Sequence, residues 1–298
     1  MTTPQAPQSV IPPLFAGLCD DAAIFPPGDL ALPQAVPAHL AYRSAWYAEL
    51  VGPFLCSAAR IGALSEQLAE GEPPLAGRLP VGVIVPEGST ALADVVRTVT
   101  ADPRLRLVGL EVLADRDKTA AEGVRAVRAE LDRLLPEYAP DVQATIELPR
   151  GPELLLGLDQ LEGSAYRAKF RTGGATPEAF PGELELASFL YAAVYRKLAF
   201  KCTAGLHHAV RQDEEATGFA HQGFLNVLLA THAALEGAEH AELAGLLGER
   251  DGTVLAAKLS DLSPAQVRAT RAAFTAFGTC SIAEPLADLL ALNLVALP

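Results

Sequence analysis

Eight short apolar runs that alternate with longer segments of helical period predict one closed α/β fold, a (β/α)8 TIM barrel. Two further observations point the same way. The runs are apolar at nearly every position, as in a parallel sheet covered by helices on both faces. The chain has 298 residues, half of them apolar, which is enough to bury one large core.

The strand candidates follow in order. They are CDDAAIF from Cys19, LVGPFLCSA from Leu50, PVGVIVP from Pro80, LRLVGLEVL from Leu105, VQATIEL from Val142, YRAKFRT from Tyr166, LAFKCTAG from Leu198 and AFTAFGTCS from Ala273. Helices are expected over Ser89–Ala101, which opens on Ser-Thr, and over Lys118–Leu135, with apolar positions at Ala121, Val124, Val127, Leu131 and Leu134. Two more are expected over Glu183–Leu198 and Phe224–Leu235. An open doubly wound sheet with extra helices is the competing topology.

The spacing breaks once, between the last two strands. The segment of about 207–271, from His207 to Arg271, has room for at least two extra helices. It reads either as a lid or substrate-shaping insertion at the catalytic face, or as a surface elaboration without a chemical role. Residues 1–13, rich in proline, read as a flexible tail, and residues 14–298 as the single domain.

Composition excludes several classes of function. A net charge of −13 with scattered Lys and Arg argues against a nucleic acid or an anionic membrane surface as partner. Cys19, Cys56, Cys202 and Cys280 are far apart with no CxxC pair, so they read as reduced thiols. The N-terminal segment has no signal pattern, and no apolar run is long enough to span a membrane, so the expected location is cytoplasmic. No dinucleotide or P-loop fingerprint is present, and no cofactor is expected.

Chemistry enters through ionisable residues inside the strands. Glu111 lies in LVGLEVL, Glu147 in ATIEL, Lys169 in YRAKFRT and Lys201 in LAFKCTAG. A charge in a doubly covered strand is costly unless it is paired or reaches a solvated mouth. Strand residues two apart share a face, so Lys169 projects with Arg171, Lys201 with Thr203 and Thr145 with Glu147. Two nearby lysines in a partly desolvated mouth lower one another's proton affinity, and a neutral amine attacks a carbonyl to form a Schiff base. Glu111 or Asp21 would then move protons. The structural alternative is a buried Lys169–Glu147 ion pair that only holds the barrel together.

These residues resemble the deoxyribose-phosphate aldolases, within the class I aldolase barrels. The likeness rests on Lys169-Phe170-Arg171-Thr172-Gly173-Gly174 followed by Ala175-Thr176-Pro177-Glu178, and on Phe200-Lys201-Cys202-Thr203-Ala204-Gly205. Phe277-Gly278-Thr279-Cys280-Ser281 before a final helix, Ile146-Glu147 and Cys56 add to it. The resemblance implies a lyase with Lys169 as the Schiff-base lysine and Lys201 as its tuning neighbour. It puts Glu111 in the place of a proton-transferring Asp, and Asp20 or Asp21 as the first-strand acid. It departs from the family in having Glu on strand four, Arg171 beside the lysine, and a long segment after strand seven. Thr176-Pro177-Glu178 also reads as an ordinary helix start.

The expected substrate is a small, anionic carbonyl compound. Arg171 would grip its anion, with help from the turns at Gly173, Gly174, Gly205 and Ser281. His207 and His208 crowd the first turn of that site and could shuttle a proton or touch substrate. Two rival readings stand beside the lyase. One is a metal-dependent lyase or hydrolase using His207, His208 and His221, with Asp21 as a further candidate ligand, although their spacing fits no established ligand motif. The other is a barrel that binds a small molecule without catalysis. A homodimer is the expected assembly for a barrel of this type, while His39, His232 and His240 suggest no role.

Overall fold

The computed structural model describes residues 10–70, 77–215 and 217–298. Seven parallel strands run β1 (Cys19–Asp21), β2 (Val51–Ser57), β3 (Leu79–Val85), β4 (Leu105–Leu113), β5 (Gln143–Glu147), β6 (Arg167–Arg171) and β7 (Phe200–Thr203). An eighth, β10 (Phe274–Thr279), pairs with β7 on one side and β1 on the other and closes the barrel. Each of the eight apolar runs contains one barrel strand, so the closed topology holds and the open sheet does not.

Strand alternation sets two environments. Outward side chains pack on the helices: Phe170 stacks on Phe189 at 4.4 Å, Phe277 on Phe224 at 5.2 Å, and Phe54 meets His39 edge-on at 5.4 Å. Each such buried ring contributes about 1.5–3 kcal/mol of hydrophobic stabilisation. Their strand neighbours Lys169, Gly278 and Leu55 therefore face the lumen. Leu55 crosses it, since a Cβ on Gly278 would lie 3.4 Å from Leu55 Cδ1.

The connecting helices are α1 (Leu32–Tyr42), α2 (Ile61–Glu70), α3 (Leu92–Ala101), α4 (Ala120–Tyr138), α5 (Leu154–Asp159), α6 (Glu183–Tyr195) and α7 (Phe224–Leu235). α4 starts on a capping box between Thr119 and Glu122. The helix expected from Ser89 begins instead as a 3-10 turn over Gly88–Ala91, and Asp115 accepts hydrogen bonds from both Ser89 N and Ser89 Oγ there. Thr176-Pro177-Glu178 opens only a single 3-10 turn, and α6 begins later, at Glu183. α6 ends two residues before Lys197, whose φ of 55° breaks the helical path.

The long segment divides in two. Its first part is a small antiparallel hairpin of β8 (Gln212–Asp213) and β9 (Ala220–His221), in which His221 stacks on Phe180 at 4.5 Å. α8 (His240–Gly248), α9 (Gly252–Ser260) and α10 (Pro264–Ala273) come after α7, and α8 packs against α6 and α7 outside the barrel. Asn226 in the first turn of α7 ties this layer down, donating to the carbonyls of Leu246 and Glu249. These three helices are thus an elaboration of the outer layer, while the hairpin lies against Phe180 in the loop after β6. α11 (Ala283–Ala291) closes the fold. Of the expected N-terminal tail, residues 1–9 lie outside the described residues, while Ile11 is buried in the core. No helix among the described residues is long and apolar enough to cross a membrane.

Candidate active site

The parallel register brings the strand charges to one level. Glu147 pairs in register with Lys169, Lys169 with Lys201, and Arg171 with Thr203. Because all these residues sit on the inward parity of their strands, their side chains converge in the lumen near the strand C-termini.

Lys169 Nζ lies 2.7 Å from Glu111 Oε2 and 2.8 Å from Glu147 Oε2, and the lysine is only 1% exposed. Lys201 Nζ donates to Asp20 Oδ2 at 2.5 Å and to Glu111 Oε1. Glu147 uses its second oxygen, Oε1, to accept from Arg171 Nε at 3.0 Å. The result is one chain of charges: Asp20, Lys201, Glu111, Lys169, Glu147, Arg171. Each buried charge of this chain therefore has an opposite charge beside it.

Electrostatics follow from that order. Burial alone would raise the pKa of Glu111, but Lys169 and Lys201 pull it down to about 2. Glu147 is likewise lowered: Lys169 and Arg171 outweigh its burial. Burial works against the charge on Lys201, yet Asp20 and Glu111 overcome it and hold the amine well above the usual lysine range. For Asp20, burial prevails over the pull of Lys201 and raises the pKa.

Beside the charges the lumen wall is apolar. Leu55 faces the lumen, as do Ile84, two residues from Gly82, and Leu113, two residues from Glu111. Ile84 and Leu113 are half-buried at the rim. Arg171, with its side chain 44% exposed, stands at the open end of the charge chain. A separate depression of about 340 Å³ at the ends of β3 and β4, lined by Glu87, Asp115, Arg116 and Lys118 among others, includes none of the six charged residues.

Several expected residues lie elsewhere. Asp21 is turned to the helix side of β1, accepting from Ala23 N at 3.0 Å and sitting 2.9 Å from His39 Nδ1, so Asp20 and not Asp21 joins the lysines. Cys56 neighbours Leu55 and therefore faces the helices, away from the lumen. Thr145 is buried one layer below Glu147, and Thr203 lies above Lys201 at the rim.

Gly173 and Gly205 serve a close approach of two loops. A Cβ on Gly173 would meet Gly205 Cα at 2.8 Å, and one on Gly205, at φ 71°, would meet Thr172 O at 2.7 Å. Thr172 Oγ1 fastens the same contact by donating to Ala204 O at 2.5 Å. Gly174 is exposed and abuts Ala179. Ser281 Oγ accepts from Glu284 N at 3.2 Å and so caps the approach to α11.

His207 and His221 lie side by side with ring centroids 6.1 Å apart, while His208 turns to α11. His208 Nδ1 is 3.1 Å from Asp288 Oδ2, the oxygen that also accepts from Ala209 N, which pins the loop to α11. His221 lies on Phe180. His207 Nδ1 is 3.4 Å from Cys280 Sγ, and burial with the neighbouring His221 and His208 pulls its pKa down to about 4. No group of three or more His, Cys, Asp or Glu among the described residues is disposed to hold a metal ion.

Three features add to the residues that the sequence singles out. Arg167 lies one layer below Lys169, where burial lowers its pKa against the pull of Asp20. Its signal was available, since it stands two residues before Lys169. The wall of Leu55, Ile84 and Leu113 carried no signal, because core leucines look alike. His39 proves to be the partner of Asp21. In comparison with known proteins, no family model and no curated protein matches this chain.

Proposed function

We propose that this protein is a Schiff-base-forming lyase, similar in its chemistry to class I aldolases, that makes or breaks a carbon–carbon bond next to the carbonyl of a small substrate. The observation that carries this reading is Lys169, a lysine in the barrel lumen whose ammonium is flanked by Glu111 and Glu147 and faced across Glu111 by a second cation, Lys201.

Lys169 is the nucleophile. Glu147, 2.8 Å away, accepts a proton from its ammonium and leaves a neutral amine. The nitrogen attacks the carbonyl carbon, a carbon–nitrogen bond forms, and the carbonyl electron pair moves to oxygen. Of the three ammonium protons, two leave with that oxygen as water and one stays on the iminium nitrogen. The iminium then draws electrons from the adjacent carbon, so that a bond to that carbon breaks or forms.

Lys201 is a positioning residue. Held as a cation by Asp20 and Glu111, it shares the Glu111 carboxylate with Lys169 and fixes where that carboxylate stands. Glu111 keeps the two amines apart while pairing with both. The wall of Leu55, Ile84 and Leu113 would receive the hydrocarbon part of the substrate. The same iminium would also serve dehydration or isomerisation.

The test is hydrogen exchange. An enamine made from the iminium exchanges its α-protons with solvent, so NMR in deuterated water with acetaldehyde, acetone and pyruvate should show enzyme-dependent loss of the α-proton signals. The exchange should vanish in Lys169→Met. No exchange above the buffer rate with any of the three would count against the reading.

A further inference from the structure

We infer that Arg171 selects substrates carrying a carboxylate close to the carbonyl, that is, short oxo acids, and that it activates Lys169 by letting go of Glu147 when that carboxylate binds. This inference rests on the Schiff-base reading above and deepens it.

One carboxylate joins Arg171 to Lys169. Glu147 Oε1 accepts from Arg171 Nε, and Glu147 Oε2 faces Lys169 Nζ. The two cations therefore hold opposite oxygens of a single side chain. Arg171 uses one of its five N–H donors in this pair. Among the described residues its Nη1 and Nη2 have no protein partner, and the side chain is 44% exposed at the mouth. A guanidinium with that edge free is a fork for a second carboxylate.

The spacing fixes the kind of ligand. Lys169 and Arg171 are two residues apart on one strand face, about 6.6 Å along the strand. A carbonyl carbon at Lys169 Nζ and an anion on Arg171 must belong to one small molecule with its acid group near the carbonyl. The half-buried Ile84 and Leu113, in register with Glu111 and Glu147 on adjoining strands, suit a short hydrocarbon remainder.

The charge balance couples binding to activation. Within the chain of ion pairs Lys169, Lys201 and Arg171 balance Asp20, Glu111 and Glu147, and Arg167 and Arg271 lie near Asp20 as further cations. An incoming carboxylate makes a fourth anion. It is best accommodated on Arg171, whose hold on Glu147 it replaces. Glu147 then loses one of the two cations that keep its proton affinity low, and the nearest proton is on Lys169. A neutral carbonyl compound brings no such charge and leaves the latch closed.

The test is borohydride trapping on the full chain with matched probes, pyruvate against acetone, scored as adduct on the peptide carrying Lys169 at constant ionic strength. Adduct yield per unit time, normalised to the intrinsic reactivity of each probe with free lysine, should favour pyruvate at least tenfold in the wild type. That ratio should fall at least tenfold in Arg171→Met, and also in Arg171→Lys, which keeps the charge but lacks the fork; the lysine variant guards against a folding defect in the first. Adducts on Lys169 without preference for pyruvate, or a preference unchanged in both variants, would overturn this inference and leave the Schiff-base reading standing. No adduct with either probe would bring down both.

Discussion

Glu111 Oε2 stands 2.7 Å from Lys169 Nζ, and the other oxygen of the same carboxylate holds Lys201. One anion thus serves two cations that would otherwise repel each other in a buried lumen. This single contact accounts for how two lysines on neighbouring strands are tolerated, and it sets the terms for the behaviour of both.

Glu111→Gln should separate structure from reactivity. Removing this charge leaves two buried ammonium groups with one carboxylate each, and the expected cost is about 3–5 kcal/mol of unfolding free energy. The surviving protein should form its carbonyl adduct at lower pH than the wild type, because each lysine then feels the other more strongly. Urea unfolding gives the first result, and the pH dependence of trapping gives the second.

Lys169→Met removes a cation and keeps the volume. Glu111 and Glu147 then lack their shared partner, which should cost about 3–5 kcal/mol at neutral pH. The loss should shrink in acid. The folded pKa of Glu111, about 2, lies below its ordinary 4.5, so its contribution is fully present above pH 4.5 and is lost as pH falls toward 2. The stability difference between wild type and variant should therefore narrow over that window in denaturant titrations at several pH values.

His207 has the opposite sense to an ion-paired histidine. Burial holds it neutral, with a folded pKa of about 4 against an ordinary 6.5. Above pH 6.5 it costs nothing. As pH falls from 6.5 to 4 the unfolded chain takes up a proton that the folded one refuses, and stability drops by up to about 3 kcal/mol. His207→Asn should flatten this part of the stability–pH curve. A curve unchanged by the substitution would refute the assignment.

Gly205→Ala should destabilise by about 2–4 kcal/mol, since its Cβ would press on Thr172 O and its φ is 71°. Gly62→Ala, on α2 with nothing within 4 Å of the added Cβ, should be neutral or slightly stabilising. Thermal unfolding of the pair distinguishes a loop-contact glycine from an incidental one.

The sequence was informative where physics leaves a pattern. Barrel strands buried on both faces stand out as apolar runs, and Lys169, Lys201, Glu111 and Glu147 stand out as charges within them. What stayed hidden depended on three-dimensional placement. Asp20 and Asp21 are adjacent acids that point to opposite faces, and only the register of β1 with β10 shows which one meets Lys201. Gly173 and Gly205 are far apart in sequence, so their mutual packing leaves no local trace, and an anion cradle fitted the same residues. The segment around 207–271 was legible as extra helices, but its layering outside α6 and α7 depended on long-range contacts such as those of Asn226.

The most direct test of the central claim is intact-mass and peptide mass spectrometry after incubation with pyruvate and borohydride. One reduced adduct per chain is expected, located on the peptide that contains Lys169 and absent from Lys169→Met. An unmodified wild-type chain, or adducts confined to other lysines such as Lys118, Lys197 and Lys258, would contradict it.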